Sequence, residues 1–268
     1  MSRPEWHLED LWLSLRDTCP EMSIEYLPVV DSTNTELGRR LRRGHAETVL
    51  IVAQHQTAGR GRLGRSWVTQ EGGALTFSLG MPMHPPTWSG LSLAVGLTLV
   101  EALDPDGLLG LGIKWPNDLW HWPKPNSATK LGGILIETLP MPDPLPGRYA
   151  IVGVGINLRT PDIETGAIPA RGLDHWGEIP EPGRLLQRLA QPLVQMLIDF
   201  ERTGPKVWLN RFGTRDLLWG VPVSTSQGFH GVACGVDAQG ALLLDTPQGR
   251  IKVDSAEISV RPLTMPRI

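Results

Sequence analysis

The spacing of hydrophobic residues changes repeatedly along the chain, and each change marks an element. Within residues 4–19 (PEWHLEDLWLSLRDTC), Leu8, Leu11, Trp12 and Leu15 recur at helical spacing and predict a short N-terminal helix. Thr33-Asn34-Thr35-Glu36 reads as a capping box, with the Thr33 hydroxyl and the Glu36 carboxylate satisfying free backbone donors. A basic turn (Arg39, Arg40, Arg42, Arg43) follows and ends near Gly44. Thr48–Gln54 and Ala74–Met81 read as strands, and the long apolar run Ser89–Leu103 as a buried helix. Three more strands are expected at Leu111–Trp115, Gly133–Glu137 and Ala150–Ile156; PMPDPLPG, between the last two, cannot continue a ladder through its four prolines and reads as an exposed turn. Leu185, Leu189, Leu193, Met196 and Phe200 step as an amphipathic helix, which Pro192 should kink or break.

Beyond about Trp219 the pattern shortens to VPVST, FHGVACGV, ALLLD, RIKV and EISV, separated by turn signals, as in a small β-barrel. The pattern therefore predicts an α+β domain over residues 1–212 and a small all-β domain over 218–268. With 41% apolar and 20% charged residues the composition is globular, and 30 glycines and 24 prolines make it rich in loops. A formal charge of −3 supplies no general basic field for nucleic acid. Cys19 and Cys234 are far apart and form no metal-binding or disulfide pattern, so a cytoplasmic setting is expected. Neither a membrane-length apolar run nor a secretory leader is visible.

Candidate chemistry concentrates between residues 31 and 157. Gly59, Gly61 and Gly64 satisfy GxGxxG, but a dinucleotide fingerprint needs a helix next, and here a turn and a strand follow. What remains is a glycine-rich loop carrying Arg60, Arg62 and Arg65 and closed by Trp67, suited to folding over an anionic ligand. Ile113-Lys114-Trp115-Pro116-Asn117-Asp118 ends a strand with a cation and polar groups, although Pro-Asn-Asp would also make a plain turn. Lys130 precedes two glycines and a strand, a place where a snorkelling surface lysine is the more frequent explanation. Two glycines in VGVGIN weaken a strand unless backbone or ligand packs there. HExxH, GxxxxGK[ST] and GxSxG are all absent, which leaves metal hydrolase, P-loop and serine hydrolase readings without support.

Taken in order, DSTN, QTAGRGRLGRSW, KWPNDL, KLGGILIE and VGVGIN resemble the biotin–protein ligases. The resemblance implies an α+β fold, with a mixed-sheet catalytic domain of the biotin/lipoate ligase type followed by an SH3-like β-barrel. It implies that biotin and ATP, with Mg2+ accompanying the ATP rather than held at a metal site of the protein, give biotinyl-5′-adenylate and pyrophosphate. The biotinyl group then passes to a lysine of the biotin carboxyl carrier protein of acetyl-CoA carboxylase. By the same resemblance Ser32, Thr33, Asn34 and Gln56 bind the biotin head group, with Arg60, Gly61, Arg62 and Lys130 completing the biotin site. Arg60, Arg62, Arg65, Trp67, Lys114, Asn117, Asp118, Lys130 and Asn157 contact ATP or the adenylate, and Lys130, Arg62 and Lys114 are the catalytic cations.

About thirty residues precede DSTN, too few for a helix-turn-helix domain, so the monofunctional type without DNA binding is expected. A lipoate–protein ligase or an octanoyl transferase of the same superfamily is the alternative. The connection Leu119–Thr129 (LWHWPKPNSAT) is longer and more aromatic than the family pattern implies, and the sequence offers no reason for its two tryptophans.

Overall fold

Alternating residues of one large sheet divide it into an apolar face and a second face where β3 and β7 carry small or absent side chains, and that division places the site. The computed structural model describes residues 6–68, 70–124, 127–143, 145–161, 169–254 and 260–263. In chain order the first elements are α1 (Leu8–Leu15), β1 (Ser23–Val30), α2 (Thr33–Arg42), β2 (Val49–Gln56), β3 (Ala74–Met83) and α3 (Leu91–Leu103). There follow β4 (Leu111–Lys114), β5 (Asp118–His121), β6 (Thr129–Pro140), β7 (Arg148–Asn157), α4 (Pro182–Thr203) and α5 (Lys206–Phe212). The chain ends in β8 (Pro222–Thr225), β9 (His230–Val236), β10 (Leu242–Thr246), β11 (Gly249–Val253) and β12 (Val260–Pro262).

The large sheet has seven strands in the order β1-β2-β3-β7-β6-β5-β4, with β1 and β2 parallel and the other neighbours antiparallel. Phe77 and Leu79 of β3 and Val152, Val154 and Ile156 of β7 enter the main core with α3 and α4. The intervening positions, Thr76, Ser78, Gly153 and Gly155, fall on the opposite face, because side chains alternate along a strand. There α2 covers a second, smaller core of Leu37, Leu41, Val49, Ile51, Tyr149 and Ile151.

The five-stranded C-terminal sheet is antiparallel, in the order β11-β10-β9-β8-β12. Its connection runs along β4: Ile113 N–H donates to the Arg215 carbonyl at 2.7 Å, and Leu217 N–H donates to the Ile113 carbonyl at 3.1 Å. The Trp115 indole N–H reaches the Gly240 carbonyl at 3.0 Å and fastens the two sheets together. Buried Asp104 accepts from the Leu109 and Leu111 N–H groups at 3.0 and 3.1 Å and pairs with Arg215 at 3.3 Å, holding the approach to β4.

Several expectations need correction. The N-terminal helix is shorter than 4–19, and Trp12 on it is exposed while Leu11 and Leu15 are buried. The α2 cap is Ser32, whose oxygen accepts from Thr35 N–H at 3.4 Å; Thr33 lies inside the helix, and Glu36 pairs with Arg39 and Arg40 instead of turning back. Pro140 lies inside β6 opposite Arg148, so the proline-rich turn begins later than the sequence suggested. Strands β1 and β5 and helix α5 carried too weak a pattern to be foreseen. EISV falls largely outside the described residues, where only Val260 is placed.

Pro192 neither ends nor divides α4, which runs unbroken over 22 residues. The ten buried residues along its length outweigh one missing N–H donor. Pro192→Ala should therefore restore that bond and stabilise the protein by about 1–3 kcal/mol, read as a rise in Tm or denaturation midpoint.

Candidate functional site

The polar end of the site is the start of α2. Ser32, Thr33 and Asn34 are all buried there against β2, β3 and β6. Thr33 N–H donates to Gln56 Oε1 at 2.8 Å, and the Thr33 hydroxyl lies 3.1 Å from the same oxygen. Asn34 Nδ2 donates to the Leu135 carbonyl at 3.2 Å, while Ser78 Oγ donates to Asn34 Oδ1 at 2.6 Å. Asn34 can lie flat against the sheet because position 153 is glycine: a Cβ there would stand 2.1 Å from Asn34 Oδ1.

Next to it, the arginine loop makes a narrow turn. Arg60 bridges Ser66, Gly61 N–H donates to the Arg65 carbonyl at 2.7 Å, and Trp67 N–H donates to the Gly59 carbonyl at 2.9 Å. Residues 62–64 form one 3-10 turn with Leu63 at φ +58°, so the GxGxxG stretch opens no helix. A Cβ at Gly59 would meet the Trp67 carbonyl oxygen at 2.4 Å, which accounts for that glycine. Trp67 in turn lies on the bare strand at Gly155, where a Cβ would come within 2.6 Å of its ring. Arg60 pairs with Glu137 at 3.1 Å, and Arg62 donates to Asn117 Oδ1 at 3.3 Å.

The third part is a cluster of cations around Asp118. The β4–β5 hairpin carries Lys114 and Asp118 as directly paired residues, and Lys130 from β6 reaches Asp118 Oδ1 at 2.7 Å. Lys114 is 6% exposed, and burial pushes its pKa down to about 8; Asp118 raises it, while Lys130, Arg65 and Arg62 lower it further. Arg62 is shifted the same way, by burial first, with Asp118 opposing and Arg65 adding to the effect. Trp120 gives one reason for the aromatic connection: its buried ring lies 5.6 Å from the Lys114 ammonium, and Trp122 lies 6.2 Å beyond. Lys130 stands 5.8 Å from the Trp67 ring, linking cluster to loop. Asn157 lies below, its amide donating to the Lys130 and Arg171 carbonyls at 3.4 and 3.3 Å.

The site residues suggested by the sequence thus gather along one face, from Ser32 at the start of α2 to Lys114 at the hairpin. The family model of the biotin/lipoate A/B protein ligases matches residues 26–157, and that of the biotin protein ligase C-terminal domain matches residues 223–261. The biotin–[acetyl-CoA-carboxylase] ligase of Paracoccus denitrificans is 32% identical over 245 residues, covering 85% of this chain and 96% of that protein.

The chain belongs to the biotin protein ligase family.

A second relative, the bifunctional ligase/repressor BirA of Salmonella typhimurium, is 35% identical over 259 residues, covering 89% of this chain and 74% of its own. Among solved structures, the biotin protein ligase of Aquifex aeolicus in complex with biotin and ATP superposes with a TM-score of 0.73 at 28% identity, over 90% of this chain and 99% of that one. This biotin protein ligase family member therefore has the mixed α+β fold and SH3-like C-terminal domain that the motif series implied. No helix among the described residues is long and apolar enough to cross a membrane.

Ser78 and Glu137 escaped sequence reasoning. Ser78 is a single hydroxyl inside an apolar strand, and its only signal was its alternation with Phe77 and Leu79.

Two outcomes follow from this geometry. Gly153→Ala should displace Asn34 and cost at least tenfold in affinity for the ligand of the polar end, measured by calorimetry, with the fold intact by circular dichroism. Lys114 loses its proton as pH rises through about 8. An anion beside it favours the charged form, so nucleotide affinity should fall as pH climbs from about 7 to 9. Lys114→Arg should flatten that profile.

Proposed function

We propose that the protein activates biotin with ATP and transfers it to a lysine of a carboxylase carrier domain. The observation that carries this reading is the joining of a neutral, hydrogen-bonding end (Thr33, Asn34, Gln56) to a cationic end (Arg62, Lys114, Lys130) across a glycine floor. Biotin has the same layout, a hydrogen-bonding ring system joined by an alkyl chain to a carboxylate. A lipoyl or octanoyl group carries no hydrogen-bonding ring system to match this polar end, which argues against the alternative ligases.

In the first step a biotin carboxylate oxygen attacks the α-phosphorus of ATP. The bond from that phosphorus to the bridging oxygen of the β-phosphate breaks, and pyrophosphate leaves. The two reacting groups are both anions, so fixed cations are the main assistance a protein can give. Lys130, Lys114 and Arg62 supply them, and burial of Lys114 makes its charge count for more than it would in water. Magnesium enters as part of the ATP substrate. In the second step the neutral amine of the carrier lysine attacks the acyl carbon, the acyl–oxygen bond breaks, AMP departs, and the amine proton passes to solvent.

In this reading Ser32, Thr33, Asn34 and Gln56 bind the head group, Arg60, Gly61, Arg62 and Arg65 form the lid, and Trp67 and Asn117 line the nucleotide side. Asp118 orients Lys130, and Asn157 braces its backbone. Residues 1–212 act as the catalytic unit and 218–268 as a second unit. The free thiols Cys19 and Cys234 suit a reducing cytoplasm.

The deciding assay supplies biotin, Mg-ATP and a carrier domain. Pyrophosphate release and a streptavidin-reactive carrier are expected, and labelling with lipoate but not biotin would overturn the reading. Lys130→Ala should slow adenylate formation by about a hundredfold or more while leaving Tm within a few degrees. Arg62→Gly should loosen the lid, so that escaping adenylate biotinylates serum albumin added to the assay; near-normal synthesis with unlabelled albumin would show that the loop is no lid.

A further inference from the structure

Glu137 closes the KLGGILIE segment, and neither biotin nor ATP chemistry requires it, yet two parts of the site meet at its carboxylate. Asn34 Nδ2 donates to Glu137 Oε2 at 2.9 Å and to the Leu135 carbonyl at 3.2 Å, so both amide hydrogens are committed. Ser78 Oγ lies 2.6 Å from Asn34 Oδ1 and 2.6 Å from Thr33 Oγ1. A hydroxyl has one proton, and an amide oxygen can only accept. The Ser78 proton therefore goes to Asn34, and the short contact to Thr33 is made with the Thr33 proton. Reversing the Asn34 amide would set its oxygen against a carboxylate and a carbonyl, both acceptors. Its orientation is thus fixed by its neighbours, with the oxygen lying against Gly153 and one lone pair left for an N–H of a ligand.

The same carboxylate receives the loop. Arg60 Nη2 lies 3.1 Å from Glu137 Oε1 and Arg60 Nη1 lies 3.4 Å from Oε2, a forked contact that spans from β6 to the arginine turn. Arg60 is 50% exposed and Glu137 29%, so solvent weakens this pair, as a contact that must open and close requires.

We propose that Glu137 is a positioning residue that couples the head-group site to the arginine loop, holding the Asn34 amide with one edge of its carboxylate and Arg60 with both oxygens. The ligand half of the idea rests on the biotin reading above; the loop half does not.

The test is Glu137→Gln in the full chain, which keeps an acceptor for Asn34 and removes the charge facing Arg60. Limited trypsin digestion, followed by mass spectrometry, reads cleavage after Arg60, Arg62 and Arg65 without ligand, and steady-state kinetics read KM for biotin. Cleavage should be about fivefold faster than in wild type. KM for biotin should rise by about tenfold, with kcat at saturating biotin within about twofold. Should the variant fail to fold, Arg60→Gln breaks the same contact from the exposed side and should speed cleavage after Arg62 and Arg65 equally. Wild-type cleavage and KM, a change in one readout without the other, or a lower Tm with neither changed would each overturn the coupling. A wild-type protein that ignores biotin would overturn the function instead, and the cleavage comparison would then decide the loop contact by itself.

Discussion

Keeping the Lys114 ammonium buried beside a carboxylate, Asp118, that it shares with Lys130 is the constraint on which the rest of the site depends. Asp118, its hairpin partner, is already taken by Lys130, and Arg62 and Arg65 add to the positive field. The hairpin survives because it is pinned from every side. Asp104 and Arg215 hold the approach to β4, the Ile113 backbone pairs with the connector to the C-terminal sheet, and Trp115 is fastened to Gly240. Trp120 offers Lys114 the face of its ring in place of water. An anion placed among these cations relieves the arrangement by adding the negative charge that the cluster is short of.

The second determinant is absence of side chains. Gly153 admits Asn34 and Gly155 admits Trp67, each at a distance where a Cβ would collide. Both glycines weaken a central strand, which β7 tolerates because it is paired along its whole length with β3 and β6. The neighbouring positions Val152, Val154 and Ile156 supply the apolar burial. A single strand therefore carries core on one face and makes room for Asn34 and Trp67 on the other.

Near the site, sequence patterns were legible where one local rule dominated. The β-branched run of β2, the buried helix α3 and the alternation in β7 could be read directly. Strand β1 could not, because Ile24, Tyr26 and Leu27 are only partly buried and Val29 is exposed at the sheet edge, and its pairing with β2 is long-range. The capping box failed for an informative reason. A tertiary hydrogen bond to Ser78 took the Thr33 hydroxyl, and Arg39 and Arg40 took the Glu36 carboxylate. Pro192 likewise lost to the packing of a whole helix face.

By itself the sequence determined which residues are chemically equipped: an arginine and glycine loop that cannot be a dinucleotide turn, lysines at two strand ends, and glycines where a strand should have none. These follow from residue type and nearest neighbours, and both survive in the linear order. The tertiary structure decided what those residues face. Lys114 and Lys130 share Asp118 only because β5 is inserted between β4 and β6. Ser78 meets Thr33 and Asn34 only because β3 lies beneath the start of α2. Glu137 meets both Asn34 and Arg60, residues 103 and 77 positions away along the chain. Hydrogen bonds and charge interactions act over a few ångströms, and no spacing in the sequence encodes which distant groups the fold will bring within that range.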